Sequence, residues 1–309
     1  MHLRRRFISL LVTFFAASVL IFTALEIAPG DVARFMMGVD ADPKAVAALR
    51  EELGLGGNAI ARYGAWILDM ARGDFGISYT YRVPVAQLIG ERLAVSLPLA
   101  LAAFALSSVL ALSGAVLSVR RRGGWAGKMV SGLSSLALAI PNFWLAMMLM
   151  LLFSVTLQVL PAGGFPGWGN PLAALSALVL PTLALGVPQG AIMTRVLRAS
   201  LLDVSRQDFM RTARAKGLSQ RAALWHHGVP NALVPVLPII GLQLAFLVAG
   251  AVIVENVFYL PGLGRLVLQA ITQRDLITVK AVVMIMVVCV VFISFAMDVI
   301  AARMDPRLR

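Results

Sequence analysis

The chain has little with which to do chemistry in water. Of its 309 residues one is cysteine, Cys289, and three are histidine, His2, His226 and His227. A single cysteine forms no disulfide within the chain, and no metal-ligand spacing surrounds it; inside an apolar run it reads as a small packing residue. Charge is scarce as well: 14% of residues are Asp, Glu, Lys or Arg, against about 25% in a soluble domain. No G-x-x-x-x-G-K-[ST] phosphate cradle is present. No nucleophile–base pair stands out within the apolar runs, which disfavours an intramembrane hydrolase or a metal enzyme. A TVGYG-like filter and a ring of acids, the marks of an ion channel, are both missing.

What fills the chain is hydrocarbon. Its composition is 60% hydrophobic with a mean hydropathy of +0.86, too apolar for a wetted surface, so it belongs in a bilayer. A span needs roughly 20 apolar residues. Six runs qualify: 7–28, 97–119, 129–156, 172–194, 233–254 and 281–302. All are expected to be helices, because a helix satisfies its own backbone in lipid and these runs are too uniformly apolar for barrel strands. Arg4-Arg5-Arg6 before the first run suits a signal peptide, yet that run is longer than an h-region and no A-x-A-like site follows, so it is expected to stay as a span.

Lys and Arg set the orientation. Arg4–Arg6, Arg120–Arg122 with Lys128, the basic stretch at 208–235, and Arg303, Arg307 and Arg309 fall on one side. The loop 157–171 has no charge, and 29–96 mixes both signs. The positive-inside rule therefore predicts cytoplasmic termini. The net charge of +12 is a matter of topology, since no basic and aromatic interleaving points to nucleic acid. Four parts are expected: an N-terminal span (1–28), an extracytoplasmic helical segment (29–96), a core of five spans (97–302) and a cytoplasmic tail (303–309). Within 29–96, "PKAVAALREELGLG" predicts a short helix with Pro43 near its start and Gly54 at its end. "NAIARYGAWILDMARGDFG" predicts another, with Asn58 as N-cap, Gly73 as stop, and Ile60, Tyr63, Ile67 and Met70 or Ala71 on one face.

The interiors of runs two to six carry no Asp, Glu, Lys, Arg or His, whereas ion-coupled transporters use buried acids near mid-membrane. Glu26, Glu255 and Asp298 lie near run ends, where helix-end pairing accounts for them; Gln158 and Gln243 cannot relay ions alone. A chain built to move something but without a visible energy source would take its energy from another subunit.

One stretch breaks the pattern: "DFMRTARAKGLSQRAALWHHGVPNALVP", 208–235. Helix formers with Leu201, Leu202, Phe209 and Ala213 predict a helix over 198–216. Gly217 stops it at a position where positive φ is needed. Ser219 caps a second short helix reaching about His226, and Pro230 and Pro235 then predict a turn before the next span. Two uses are open: a solvated basic loop held by anionic headgroups, or a docking element in which Leu224 and Trp225 beside Arg221 fill a partner's groove.

The spacing resembles the EAA loop of binding-protein-dependent ABC permeases, which has a glycine four residues after its second alanine and a proline thirteen after the glycine. Ala213, Gly217 and Pro230 stand at those places, with Arg211 and Thr212 where the acid and first alanine usually stand. "RQDFMRTARAKGLS" is similar to the dipeptide/oligopeptide branch, and to its first permease subunit. So are "APGD" (28–31), "LGL" (53–55), "GDFGISY" (73–79), "IPNFWLA" (140–146), "LPAGG" (160–164), "GAVIVENVFYLPGLGRL" (250–266) and "DPRLR" (305–309). Their common order covers nearly the whole chain; "GGNAIAR" departs from the usual proline-containing form.

The resemblance implies an all-α integral membrane protein of the type I ABC importer permease fold, with about six transmembrane helices, in a bacterial inner membrane. It implies a second homologous permease subunit, an extracytoplasmic solute-binding protein, and two cytoplasmic ABC ATPases that hold ATP and Mg while this chain holds no cofactor. The coupling loop (198–232) would carry Arg211, Thr212, Ala213, Arg214, Lys216, Gly217, Leu218, Ser219, Arg221, Leu224, Trp225 and Pro230. Glu255, Pro261, Gly262 and Gly264 would line or brace the extracytoplasmic mouth. Peptides are the leading solute; nickel complexes, glutathione and oligosaccharides are alternatives within the family, and an ion-coupled secondary transporter is the alternative outside it.

Overall fold

Lipid offers no partner to a backbone amide, so the chain folds by closing its hydrogen bonds along helices. The computed structural model describes residues 2–27, 34, 37–38, 41–52, 56–120 and 124–304. Within these, α1 spans His2–Ile27, α2 Pro43–Glu52, α3 Ala59–Ala71, α4 Val85–Arg120, α5 Trp125–Ala139, α6 Asn142–Met150 with a following π-helical turn at Leu151–Thr156, and α7 Pro171–Val204. Then come α8 (Asp208–Ala215), α9 (Gln220–Ala223), a π-helical turn (Leu224–Gly228), α10 (Val229–Leu233), a 3-10 turn (Val234–Val236), α11 (Leu237–Val257), α12 (Leu263–Thr272) and α13 (Leu276–Met304). The motifs at 28–31, 53–55 and 305–309, Gly54 as a helix end, and Arg121 and Arg122 lie outside the described residues.

Each of the six apolar runs is helical, with revised limits. The second begins at Val85, so α4 takes in the last part of the segment expected to lie outside the membrane. The third is not one rod: its halves, Gly127–Ala139 and Asn142–Thr156, meet at 98°. Ile140 there is extended (φ −95°, ψ 120°), because the ring of Pro141 crowds the residue before it out of the helical region.

The centre of the molecule is α4 against α7, the most buried of the five long spans. Small residues let the two backbones approach, as in small-xxx-small membrane helix pairs. A Cβ on Gly186 would lie 2.9 Å from the Ala103 carbonyl, and one on Gly190 3.0 Å from Leu110. On one side α5 and α6 lean on α7; on another, α11 packs against α4, α6, α7 and α13. Leu99, Leu180, Leu185, Leu247 and Phe258 form one buried cluster between these helices. α1 lies along α13, and α3 docks on α1 with Tyr63 and Trp66 against Phe22 and a 2.8 Å hydrogen bond between the Tyr63 and Ser18 hydroxyls. Asn58 caps α3, and Gly73 ends it at φ 81°. Ile60, expected on the packed face, is exposed. Glu26 pairs with Arg62, the helix-end role expected of it.

Gly190→Leu should force α4 and α7 apart, a type of overpacking that costs about 1–3 kcal/mol. We expect a lower unfolding midpoint in detergent and less monodisperse protein. Gly132→Ala, where an added Cβ meets nothing within 4 Å, should leave both unchanged.

Candidate functional site

Two regions gather the residues singled out from sequence, one at each end of the α7–α11 bundle. At the first end, α7 stops at Val204, short of the helix expected to run through 216. Ser205 turns back to the Leu202 carbonyl through its hydroxyl, and Gln207 is extended before α8 starts at Asp208. The interruption lets α8 fold back so that Met210 and Ala213 are buried while Arg211, Thr212, Arg214 and Lys216 stay exposed. Arg211 and Asp208 pair on the exposed face.

Gly217 closes α8. Its φ is 93°, its amide donates to the Arg214 carbonyl at 3.0 Å, and the Leu218 amide donates to Ala213 at 3.3 Å. These two bonds make a Schellman motif, which needs the left-handed region where glycine carries no Cβ penalty. The Ser219 hydroxyl oxygen then accepts from the Ala222 amide at 3.2 Å and starts α9. Ala213, Gly217 and Ser219 are thus all involved in shaping the hairpin.

Past α9 the structure corrects two expectations. There is no turn before the next span: residues 220–257 stay helical through Pro230 and Pro235, with a π-helical turn at Leu224–Gly228 and a 3-10 turn at Val234–Val236. The Val229 amide reaches back to the Leu224 carbonyl, and the Leu237 amide to Val234. Leu224, expected to fill a partner's groove, is only 2% exposed. It packs in one cluster with Met210, Ala213, Ala223 and Val229, and with Val119, Leu197 and Leu201 of α4 and α7. Trp225, 40% exposed, faces outward with Arg221, His226, His227 and Pro230. The hairpin therefore has an inner apolar face joined to the spans and an outer face of Trp225 and cations.

At the opposite end, Glu255 is fully buried on α11. Gly262 begins α12 with no side chain of its own to cap it, and the Glu255 carboxylate takes that place. It accepts from the amides of Gly264 (2.8 Å) and Arg265 (3.3 Å) and from the Ser96 hydroxyl (2.5 Å). The Ser96 oxygen accepts the Leu263 amide at 2.8 Å. Three open amides of the first turn are thereby satisfied. The glycines are spacing residues: a Cβ on Gly262 would fall inside the Glu255 carboxylate, and one on Gly264 against the Val252 backbone. Pro261 is half-buried in this turn. Arg265 closes it from outside, donating to the Tyr259 carbonyl at 2.7 Å with its guanidinium over the Tyr259 ring.

A second buried acid, Asp275, was missed from sequence. It caps α13 by accepting from the Thr278 amide and hydroxyl, and it also accepts from the Ser78 hydroxyl and the Thr80 amide. The "GDFGISY" segment is thereby fastened to α13, with Gly76 at φ 78° beside Ile277. An acid ahead of an apolar run with threonine three residues on was the available signal. Burial, with a smaller push from the Asp275 charge, lifts the Tyr79 hydroxyl from 10.0 to about 12. Gln189 and Gln243 are buried on α7 and α11, and neither carbonyl oxygen has a partner among the described residues. Gln189 also escaped the sequence reading.

Against known proteins, the family profile described as "Binding-protein-dependent transport system inner membrane component" matches residues 103–309, and that of the N-terminal part of the same membrane component matches residues 1–100. A chain of Brucella abortus named as a peptide transport system permease protein is 38% identical over 293 residues, covering 94% of this chain and 93% of the relative. A peptide ABC transporter permease protein of Sinorhizobium fredii is 36% identical over 309 residues, covering 100% and 99%. The glutathione transport system permease protein of Escherichia coli K12 is 34% identical over 305 residues, covering 99% and 97%. Among solved structures, a methionine ABC transporter shares the fold with a TM-score of 0.58 at 19% identity, over 71% of this chain and 97% of that one.

Two outcomes test the capping end. Glu255→Ala and Gly262→Ala should each destabilise by about 1–3 kcal/mol, the cost of orphaned buried polar groups. Thermal unfolding in detergent should show the pair strongly non-additive, because both break one contact. For Tyr79, the unfolded chain releases the hydroxyl proton at lower pH than the folded one, so stability falls as pH rises from 10 toward 12. Tyr79→Phe should lose less stability across that window, read as unfolding midpoint against pH.

Proposed function

The chain belongs to the family of inner membrane components of binding-protein-dependent transport systems, and from that premise we propose that it forms half of the path by which an ATP-driven importer carries small peptides across a bacterial inner membrane. Peptides lead because relatives at 38% and 36% identity are named for them; glutathione, the named solute of another relative, is a small peptide too. A second homologous permease completes the path, a solute-binding protein delivers from outside, and two ATPases hydrolyse ATP inside. Both termini lie in the cytoplasm.

The observation that carries this reading is the two-faced hairpin. Its outer face, Trp225 with Arg211, Arg214 and Arg221, is the docking surface for an ATPase; aromatic and Arg side chains dominate such contacts. Its inner face, Met210, Ala213 and Leu224, shares one buried cluster with α4 and α7. When the ATPases close on ATP, the hairpin moves with them and drags the span ends, because a close-packed cluster transmits displacement rather than absorbing it. Gly217 sets the angle between α8 and the docking helix. Glu255, Pro261, Gly262 and Gly264 brace the outer mouth, fixing α12 between α4 and α11 while the inner end moves. The absence of acids from the span interiors fits a cycle driven by ATP rather than by an ion gradient.

Gly217→Val puts a β-branched residue at φ 93° and should uncouple or disassemble the complex with the spans intact. Normal solute-stimulated ATPase activity in that variant would refute the assigned role. Mild-detergent purification of the chain should bring down an ATPase and a second permease; a homo-oligomer that transports alone would overturn the reading.

A further inference from the structure

Between α5, α6 and α7, with α4 as its floor, runs a groove of about 500 Å³. Its walls are hydrocarbon: Leu110, Leu117, Leu133, Leu136, Ala137 and Leu145 among them. At one end it shares Val130, Ser134 and Thr194 with a second cavity of about 210 Å³ that is of opposite character. There Arg195 and Arg198 of α7 meet Ser131, Ser134 and Ser135 of α5. Arg198 donates from Nη1 to the Ser131 hydroxyl at 2.9 Å, while its Nε is buried and has no partner among the described residues. Among the described residues no acid lines either cavity.

The depth of the polar end is set by helix length. Ser131 lies six residues after Trp125, the exposed indole that opens α5. Arg198 lies six residues before Val204, where α7 ends beside the basic hairpin. Both are thus about 9 Å inside their helix ends at 1.5 Å per residue. Exposed Trp and basic residues mark the membrane–water interface, so the arginines sit where the phosphates of the hairpin-side leaflet give way to acyl chains. A cationic, hydroxyl-lined pocket at phosphate depth, open to an apolar groove running toward the bilayer centre, has the polarity of one kind of molecule.

We propose that this composite cavity is a binding site for an anionic phospholipid. Its phosphodiester is held by Arg198, Arg195 and the α5 serines, and an acyl chain lies along Leu133, Leu136 and Ala137. The site would tie α5 to α7 on the side where the hairpin joins the spans, so the surrounding lipid would help set the stiffness of that junction. This goes beyond the transport role and does not depend on which solute is carried.

The test uses the chain purified in its assembled complex, stripped of lipid in detergent, and titrated with phosphatidylglycerol or phosphatidylcholine of matched acyl chains. Bound lipid is counted by native mass spectrometry. We expect phosphatidylglycerol to be retained about tenfold more tightly, the scale of one charge-assisted contact, and Arg198→Gln to erase that preference. Ala137→Trp, which fills the groove and leaves the arginines alone, should weaken both lipids together. Equal retention of the two lipids, or a preference unchanged in Arg198→Gln, would overturn the proposal. So would displacement by inorganic phosphate alone, which would make this a free-anion site, or by a transported peptide, which would make it part of the solute path.

Discussion

Every backbone amide that the chain takes out of water must find its partner inside the chain, and the rest of the structure depends on meeting that demand. Long helices meet it along their length. The difficulty is at their ends and at their prolines. The fully buried Glu255, with Ser96, answers for the first turn of α12, and the fully buried Asp275 for the first turn of α13. Both acids are occupied by hydrogen-bond donors at helix starts. They are caps, and each also reaches a distant segment: Glu255 binds α4 through Ser96, and Asp275 binds the 73–84 loop through Ser78.

Prolines inside the long helices are accommodated in different ways. Pro98, Pro181 and Pro188 sit within α4 and α7 without a break, and around Pro230 and Pro235 the chain changes helix type instead of breaking. The π-helical turn at Leu224–Gly228 and the 3-10 turn at Val234–Val236 keep the stretch from α9 to α11 continuous. In the proposed coupling role that continuity matters. A docking helix joined to a span by a flexible turn would lose the motion it receives, whereas a helical connection, with Leu224 locked among Val119, Leu197 and Leu201, would pass it on. At Pro141 the outcome is opposite, since Ile140 is forced extended and the third span bends.

Much of this was legible locally. Asn58, Ser219 and Gly217 act where their side chains, or the lack of one, dictate, because caps and positive-φ positions are decided within a few residues. Leu224 was misjudged for a reason that is equally physical. It sits between Ala223 and Trp225 and packs with Met210, Ala213 and Val229 close by. The side it turns inward is decided by Val119, Leu197 and Leu201 of α4 and α7, more than twenty residues away, and local sequence does not announce those partners. Asp275 was missed in the same way: its bond to Ser78 joins residues 197 apart in the chain.

By itself the sequence determined the solvent, the number of apolar runs, the hairpin and its closing glycine, and the family, because hydropathy, turn chemistry and motif spacing are all short-range properties. Only the tertiary structure decided which residues face inward. It made Glu255 a cap across a helix gap, used Gly186, Gly190, Gly262 and Gly264 as room for another element's atoms, and set Arg195 and Arg198 of α7 against the serines of α5. Those outcomes depend on what lies across an interface, and in a chain so uniformly apolar, sequence periodicity says little about which face meets protein and which meets lipid.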